Sequence, residues 1–368
     1  MKRSVRRIIT HSFYGVLIKT QRVNLSLLVL ACLITSTITI TELAKSFLCL
    51  PDSPNKKLNE NTKYKHKEKR LARFLKNERV VVKKLFPKVL SLALKHLPRK
   101  DEIFTIIDQT QLPFGYQAIF AALAYKGRAL PFAFILFRYE QIEKSQNIIE
   151  YEFFELVVSL LVAKRIKPVL IMDRGYCDVK IVKKLKELKV GFIIRAVSNV
   201  WIEVKDNNFK GLIGEFTQVG TFEDCLYHKR ERELLNIAIA RNEKGENIWV
   251  ISNLNSSRII ELYKLRMQIE ETFRDIKSLL GLKTLKLRKD EFIQMKLEKI
   301  LLALMCTVIV SGFLEEECKK YSKVLVRDDK DYSFVRIVKE VVKRLWEALI
   351  IEPKNLKLGP ILYPNLIP

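Results

Sequence analysis

Between residues 103 and 197, short apolar runs follow one another in an order that few folds can accommodate. Residues 103–108 form a short apolar run with β-branched residues, which predicts a strand. Residues 116–125 and 130–139 flank a Lys-Gly-Arg turn and predict a β-hairpin. Helical and strand-like patterns then alternate, with a helix at 140–165, a strand at 168–173, a helix at 179–188 and a strand at 191–197.

Three antiparallel strands followed by alternating helices and strands is the order of an RNase H-like α/β core. Strand-like runs continue from 201 to 253 and predict a β-rich insertion, whereas the chain after residue 257 is mostly helical to about residue 349. The predicted organisation has five segments. They are a helical, basic DNA-binding region at 1–100, the first part of the core at 101–200, the β-rich insertion at 201–254, a core helix at 255–285 and a helical C-terminal region at 286–368.

Positive charge is concentrated at the start of the chain. The 368 residues carry a formal net charge of +25, and residues 1–100 hold 23 Lys and Arg against 5 Asp and Glu. A surplus of this size calls for an anionic partner, most simply nucleic acid. Residues 51–66 are polar and turn-rich and predict a linker, followed by a basic helical stretch. That stretch is either a solvated helix face or a phosphate-binding helix, and the bias of the whole region favours DNA contact.

An uncharged segment between Arg22 and Glu42 has two interpretations. After the basic start of the chain it resembles a signal peptide or membrane span. Its strongly apolar part is short for a bilayer and is followed by threonines. We therefore predict a helix-turn-helix within 25–48, with Thr39 or Thr41 capping the second helix. No membrane association is expected, and the expected location is the cytoplasm, at the nucleoid.

The six cysteines form no Cys-x-x-Cys pair and the four histidines are not clustered. Free thiols in a reducing compartment, and no zinc site, are the expectation.

Two aspartates, Asp108 and Asp173, each end a predicted strand. Carboxylates at adjoining strand ends point into one crevice, and like charges held together usually hold a cation. An aspartate also ends strands for reasons of turn formation, so neither residue is informative by itself.

The predicted helix at 259–280 carries the most informative carboxylate, Glu270. At about 100° per residue, Tyr263, Arg266, Glu270 and Lys277 fall within an arc about 60° wide, beside the apolar stripe. Arg266 and Glu270 alone would make an ordinary i,i+4 ion pair. An ion pair does not account for the placing of Tyr263 and Lys277.

These residues complete the pattern Tyr-x2-Arg-x3-Glu-x6-Lys. Two further blocks precede this pattern along the chain, first Asp108-Gln109-Thr110 and then Asp173-Arg174-Gly175-Tyr176. Together, in this order, the three blocks resemble those of the bacterial insertion-sequence DDE transposases of the YREK-motif group. The resemblance extends over about residues 65–320.

The resemblance implies a cut-and-paste DNA transposase. Asp108, Asp173 and Glu270 would be the catalytic residues and would bind two Mg²⁺ ions, with Mn²⁺ as a substitute. The partners would be the terminal inverted repeats of the transposon and the target DNA, held by a dimer in the synaptic complex. The implied DNA-binding residues are Tyr263, Arg266, Lys277, Arg174 and Trp249.

Trp249 would stack on a flipped base, although a tryptophan in a strand is equally consistent with a core position. A catalytically silent, transposase-derived DNA-binding protein is the alternative function.

Overall fold

The computed structural model of the protein describes residues 2–48, 60–98, 101–142, 145–255, 257–322 and 332–351. Most of the predicted linker, residues 51–59, lies outside this range. The helices are α1 (Lys2–Ser12), α2 (Lys19–Ile34), α3 (Ile40–Leu48), α4 (Glu60–Leu75), α5 (Phe86–Leu94), α6 (Gln146–Val162), α7 (Val179–Glu187), α8 (Ile259–Lys264), α9 (Met267–Arg274), α10 (Ile293–Ser322) and α11 (Phe334–Ile351). The strands are β1 (Glu102–Gln111), β2 (Gln117–Tyr125), β3 (Arg128–Phe137), β4 (Lys167–Met172), β5 (Gly191–Arg195), β6 (Trp201–Val204), β7 (Phe209–Leu212), β8 (Gly220–Tyr227), β9 (Glu233–Arg241) and β10 (Asn247–Ser252).

The chain forms two compact units. The helical unit comprises Met1–Leu92 and Arg274–Pro368, and the sheet unit comprises Ala93–Phe273. The ten strands of the described residues all lie in the sheet unit.

One ten-stranded sheet organises the sheet unit, in the order β3-β2-β1-β4-β5-β10-β9-β8-β6-β7. Strand β1 pairs antiparallel with β2 and parallel with β4, and β4 pairs parallel with β5. The prediction of a mixed α/β domain is therefore confirmed. The strands that were predicted as an insertion extend the same sheet, because β10 returns antiparallel beside β5.

Apolar side chains fix α8 against one face of this sheet. A buried cluster joins Val169 and Ile171 of β4 with Ile193 of β5, Val250 of β10, and Ile259 and Tyr263 of α8. Alternate strand residues point to the same face, so each strand contributes every second residue to this cluster.

Several element boundaries differ from the sequence prediction, and two of them have a clear physical cause. Strand β1 does not end at Asp108 but continues to Gln111, because its antiparallel partner β2 pairs with it as far as Gln117. Helix α6 begins at Gln146 rather than near 140, where the Ser145 hydroxyl accepts a hydrogen bond from Asn147 N–H and caps the helix.

The predicted helix-turn-helix segment contains two helices of the helical unit. Helix α2 is buried along most of its length, and α3 begins at Ile40. The Thr39 hydroxyl accepts a hydrogen bond from Glu42 N–H at 3.0 Å, so Thr39 is the capping residue. A short parallel bridge between Thr39 and Lys286 connects this turn to the later part of the chain within the same unit.

Helix α10 is the core helix of the helical unit. Among the described residues it is the one helix long and apolar enough to cross a membrane, and 83% of its apolar window is buried inside the protein. The core helix of a soluble protein passes the same test, so this finding is weak evidence for a membrane span. Cys32, Cys177, Cys225, Cys306 and Cys318 are free thiols, and Cys49 lies outside the described residues.

Candidate active site

Asp173 is placed by the most buried strand of the sheet unit. Five apolar or proline residues make up the buried part of β4, and Asp173 is the first residue after it. A short 3-10 turn follows, in which Tyr176 N–H donates to the Asp173 carbonyl. One third of the Asp173 side chain is exposed, so this carboxylate lies at the rim of the sheet.

Asp108 lies beside Asp173 because β1 and β4 run parallel. Ile107 pairs with Met172, which brings the next residue of each strand to the same level. The Asp108 carboxylate accepts a hydrogen bond from Gln109 N–H at 2.8 Å. Burial raises the pKa of the Asp108 carboxyl to about 6, an effect that the nearby Arg266 opposes.

Glu270 comes from α9. The predicted helix at 259–280 is present but is not one regular α-helix. Between Lys264 and Met267, the N–H groups of Leu265 and Arg266 bond to carbonyls three residues earlier. Such tighter bonds are typical of 3-10 geometry. A π-helix then occupies Asp275–Leu279.

Arg266 is the centre of the arrangement. Its Nη1 lies 3.2 Å from Asp108 Oδ2, its Nε lies 4.0 Å from Asp173 Oδ1, and its Nη2 donates to Glu270 Oε1. Only 9% of the Arg266 side chain is exposed. The structure therefore brings all three predicted catalytic carboxylates around one guanidinium.

Tyr263 reaches the same cluster from α8. Its hydroxyl donates to Asp173 Oδ1 at 3.4 Å, and the rest of the ring packs in the apolar cluster beneath the sheet. We call Asp108, Asp173, Glu270, Arg266 and Tyr263 the carboxylate cluster.

The other predicted residues lie on a 3-10 turn, on a strand and in a π-helix. Arg174 is exposed in the turn after Asp173 and makes no ion pair within the described part of the chain. Trp249 lies between Ile248 and Val250, which pack on the Tyr263 side of the sheet, so its side chain points to the opposite face. Lys277 lies in the π-helix, which belongs to the helical unit.

Residues 145–306 match the family model described as a transposase DDE domain. The match includes Asp173, Arg266 and Glu270, whereas Asp108 precedes it. It supports the assignment of a DNA transposase. A cryo-EM structure of a piggyBac transposase synaptic complex with hairpin DNA is similar to the chain, with a TM-score of 0.45 and 10% identity, over 93% of this chain and 75% of that chain. No curated protein matches the sequence.

A polar network behind Asp108 was not predicted. Gln109 Nε2 donates to the Tyr139 hydroxyl at 2.7 Å, and Gln146 Nε2 donates both to Gln109 Oε1 and to buried Glu150 Oε1. The only sequence signal for it was the position of Gln109 directly after Asp108. Sequence patterns do not show that α6 brings Gln146 and Glu150 to this strand.

Tyr176 adds a buried hydroxyl near the carboxylates. Its side chain is 4% exposed, and its hydroxyl has no hydrogen-bond partner among the described residues. Burial raises the pKa of Tyr176, and the charges of Glu150, Asp108 and Asp173 raise it further. The aromatic position of the Asp-Arg-Gly-Tyr block is therefore filled by a buried ring that packs against Phe154.

Transposase DDE domains generally depend on divalent metal ions, and the donor chemistry of this cluster fits such an ion. Three carboxylates offer the oxygen ligands that Mg²⁺ prefers. Within the described ranges, however, no three His, Cys, Asp or Glu side chains are already arranged to hold a metal ion. The Arg266 guanidinium lies between the oxygens that would bind it.

Proposed function

We propose that this protein is a DNA transposase of the insertion-sequence type, which cuts DNA at the ends of its element and joins the freed ends to target DNA. The observation that carries the proposal is the convergence of Asp108, Asp173 and Glu270 on Arg266 from three separate elements. An ordinary ion pair of one acidic and one basic side chain is neutral. Three carboxylates around one guanidinium carry an excess of negative charge. Such an excess suits a site for cations.

We infer that the sheet unit contains an RNase H-like core. The order β3-β2-β1-β4-β5, with the first three strands antiparallel and the last two parallel to β1, supports this inference. In this proposal β6–β9 and β10 form the insertion between the second aspartate and the glutamate.

Asp108, Asp173 and Glu270 would hold two Mg²⁺ ions. When bound, the ions would supply activation of water or of a DNA 3′-OH and stabilisation of the leaving oxygen. The chain's own groups would orient the phosphodiester. Arg266 offers a planar pair of donors to a phosphate, and Tyr263 offers its hydroxyl from the position where it now bonds to Asp173.

Arg174, Lys277 and Trp249 would extend the DNA contact. Arg174 is exposed beside Asp173, which suits a phosphate contact at the rim. Roles for Lys277 in phosphate binding and for Trp249 in base stacking are carried over from the resemblance to the YREK-motif transposases. The proposed partners are the DNA of the terminal repeats and the target DNA. The protein would act as a dimer in the synaptic complex, at the nucleoid.

A cleavage assay tests this function. A supercoiled plasmid that carries the DNA flanking the gene should be nicked or linearised in Mg²⁺, and Asp108→Ala, Asp173→Ala and Glu270→Ala should each abolish the reaction. Undiminished cleavage by any one of the three would overturn the assignment of that residue. DNA binding without cleavage under any metal condition would instead favour the silent DNA-binding protein.

A further inference from the structure

Arg266 forms contacts that a divalent ion would also need. Its Nη1 is within 3.2 Å of Asp108 Oδ2 and its Nη2 donates to Glu270 Oε1, while its Nε lies 4.0 Å from Asp173 Oδ1. A metal ion shared by these carboxylates would coordinate the same oxygens. The guanidinium and the ion therefore compete for one set of ligands.

The contacts of Arg266 also show that it is not a fully satisfied structural arginine. Its Nε is buried with no hydrogen-bond partner among the described residues. Its Nη2 has only a sulfur, Met267 Sδ at 3.8 Å, besides Glu270. A buried donor without a partner carries a free-energy cost. Arg266 therefore loses less hydrogen bonding when it moves to a new partner than an arginine with all its donors paired would lose.

A phosphodiester is the ligand that would draw the guanidinium away. It presents two oxygens to the fork of an arginine, and charge-assisted bonds of this kind are among the strongest that a side chain makes. Glu270 is 42% exposed on its side chain, so the cluster is open to solvent on the α9 side. A short swing of Arg266 toward a phosphate at that opening would uncover Asp108 and Glu270.

We propose that Arg266 is an internal counterion that keeps divalent metal out of the carboxylate cluster until DNA is bound. The arginine is passed from carboxylates to a DNA phosphate, and the vacated oxygens then bind the metal. This inference rests on the proposed function, because it requires that the cluster binds both metal and DNA. Besides contacting a phosphate, Arg266 would then make metal binding follow DNA binding.

Linkage makes the inference quantitative. If DNA removes a competitor of the metal, DNA raises the affinity for metal, and metal raises the affinity for DNA by the same factor. We expect a factor of about 10 or more, within the usual range of such couplings. A transposase that works this way would hold its metal more tightly on its substrate than off it.

The test measures Mn²⁺ binding to the full chain by electron paramagnetic resonance of the free ion, with no turnover required. Without DNA, Arg266→Gln should bind Mn²⁺ about tenfold more tightly than the unmodified chain, because the competing cation is gone. Arg165→Gln is the matched control. It removes the same charge from an exposed position at the opposite end of β4 from Asp173 and should change the affinity for Mn²⁺ much less.

The same titration is then repeated with a duplex that carries the DNA flanking the gene. The unmodified chain should bind Mn²⁺ about tenfold more tightly on DNA, and Arg266→Gln should show little further gain. Equal or weaker Mn²⁺ binding by Arg266→Gln without DNA would overturn the inference. An equal DNA effect in both proteins would do the same.

Two further variants keep the outcomes separate. Arg266→Lys retains a cation but not the planar guanidinium, and its affinity for Mn²⁺ should fall between those of the unmodified chain and Arg266→Gln. A rise in the thermal unfolding temperature of Arg266→Lys on addition of Mn²⁺ would show that the variant is folded and binds the ion. Asp173→Asn should lose Mn²⁺ binding. If every protein binds no Mn²⁺ at all, the proposed function fails. If Mn²⁺ binds but does not distinguish Arg266→Gln, only the counterion inference fails.

Discussion

Asp108 shows how much a single residue depends on its neighbours across the sheet. The sequence placed it at a strand end, and the structure places it inside β1, beside the end of β4. Its proximity to Asp173 could be predicted, since parallel strands bring their carboxyl ends to one edge. The contact with Arg266 could not, because this arginine lies in the tight turn between α8 and α9, which has no clear sequence signal.

A buried lysine in α10 gives a pH prediction at this scale. Lys299 has no exposed surface, and its ammonium donates to the Leu75 carbonyl at 2.9 Å. Burial lowers the pKa of Lys299 from 10.5 to about 8. The folded protein therefore binds fewer protons than the unfolded chain between about pH 8 and 10.5, and its free energy of unfolding rises with pH across that window.

Urea unfolding at pH 7.5 and 9.5 measures this effect. The unmodified chain should gain about 1–2 kcal/mol from Lys299 between the two values, and Lys299→Met should lack that part of the gain. Lys320→Met, at an exposed position of the same helix, should follow the unmodified chain. Identical pH profiles for the Lys299→Met and unmodified proteins would contradict the prediction.

At the scale of elements, the sequence predicted most strands and helices of the sheet unit. It did not predict the hydrogen bonds that attach one element to another. Two continuous apolar runs on either side of a Lys-Gly-Arg turn identify β2 and β3. The ends of α8 and α9 were missed, since an amphipathic stripe continues through the break. The predicted stripe assumed a constant 100° per residue, whereas a π-helix changes the angle at Lys277.

Helix α9 is fastened to the β2–β3 hairpin by its polar side chains. Gln268 accepts from Tyr125 N–H at 2.8 Å, and Thr272 Oγ1 accepts from Ala129 N–H at 2.7 Å and donates to the Ala129 carbonyl. Glu270 lies between these two anchors. The edge of the hairpin therefore fixes the register of the helix that carries the third carboxylate.

Thr272→Val should loosen this attachment. The change leaves the buried Ala129 N–H without an acceptor, which costs about 1–3 kcal/mol, and cleavage should fall by more than the loss of folded protein explains. Thr307→Val is the matched control, because Thr307 is also buried and hydrogen-bonded on a helix but lies in the helical unit. Equal loss of specific cleavage in both variants would contradict a role for this attachment in placing Glu270.

For the whole molecule, the distribution of charge along the sequence predicts the kind of partner most readily. The net charge of +25 and its concentration before residue 100 indicate nucleic acid. The structure shows that part of this charge lies on one exposed face of a helix. Lys65, Lys69 and Arg73 recur at four-residue spacing along one exposed face of α4, and they form no ion pair with the described residues.

Neutralising this face should weaken DNA binding and its salt dependence together. Replacing Lys65, Lys69 and Arg73 with Gln should lower the slope of log affinity against log salt by about 0.9 for each DNA phosphate that the variant no longer neutralises. The control replaces Lys183, Lys184 and Lys186 of α7, which are already paired with glutamates. Fluorescence anisotropy over a salt series measures both slopes. A control whose slope falls as much as that of the α4 variant would contradict the assignment of this face.

The central claim is that the three carboxylates bind the metal ions that cut DNA, and a change of ligand type at Asp173 tests it most directly. A thiolate is a softer ligand that binds Mn²⁺ better than Mg²⁺. Asp173→Cys should therefore lose plasmid cleavage in Mg²⁺ by a factor on the order of 1,000 and recover part of it in Mn²⁺. Cleavage by Asp173→Cys in Mg²⁺ at the rate of the unmodified chain would contradict the claim.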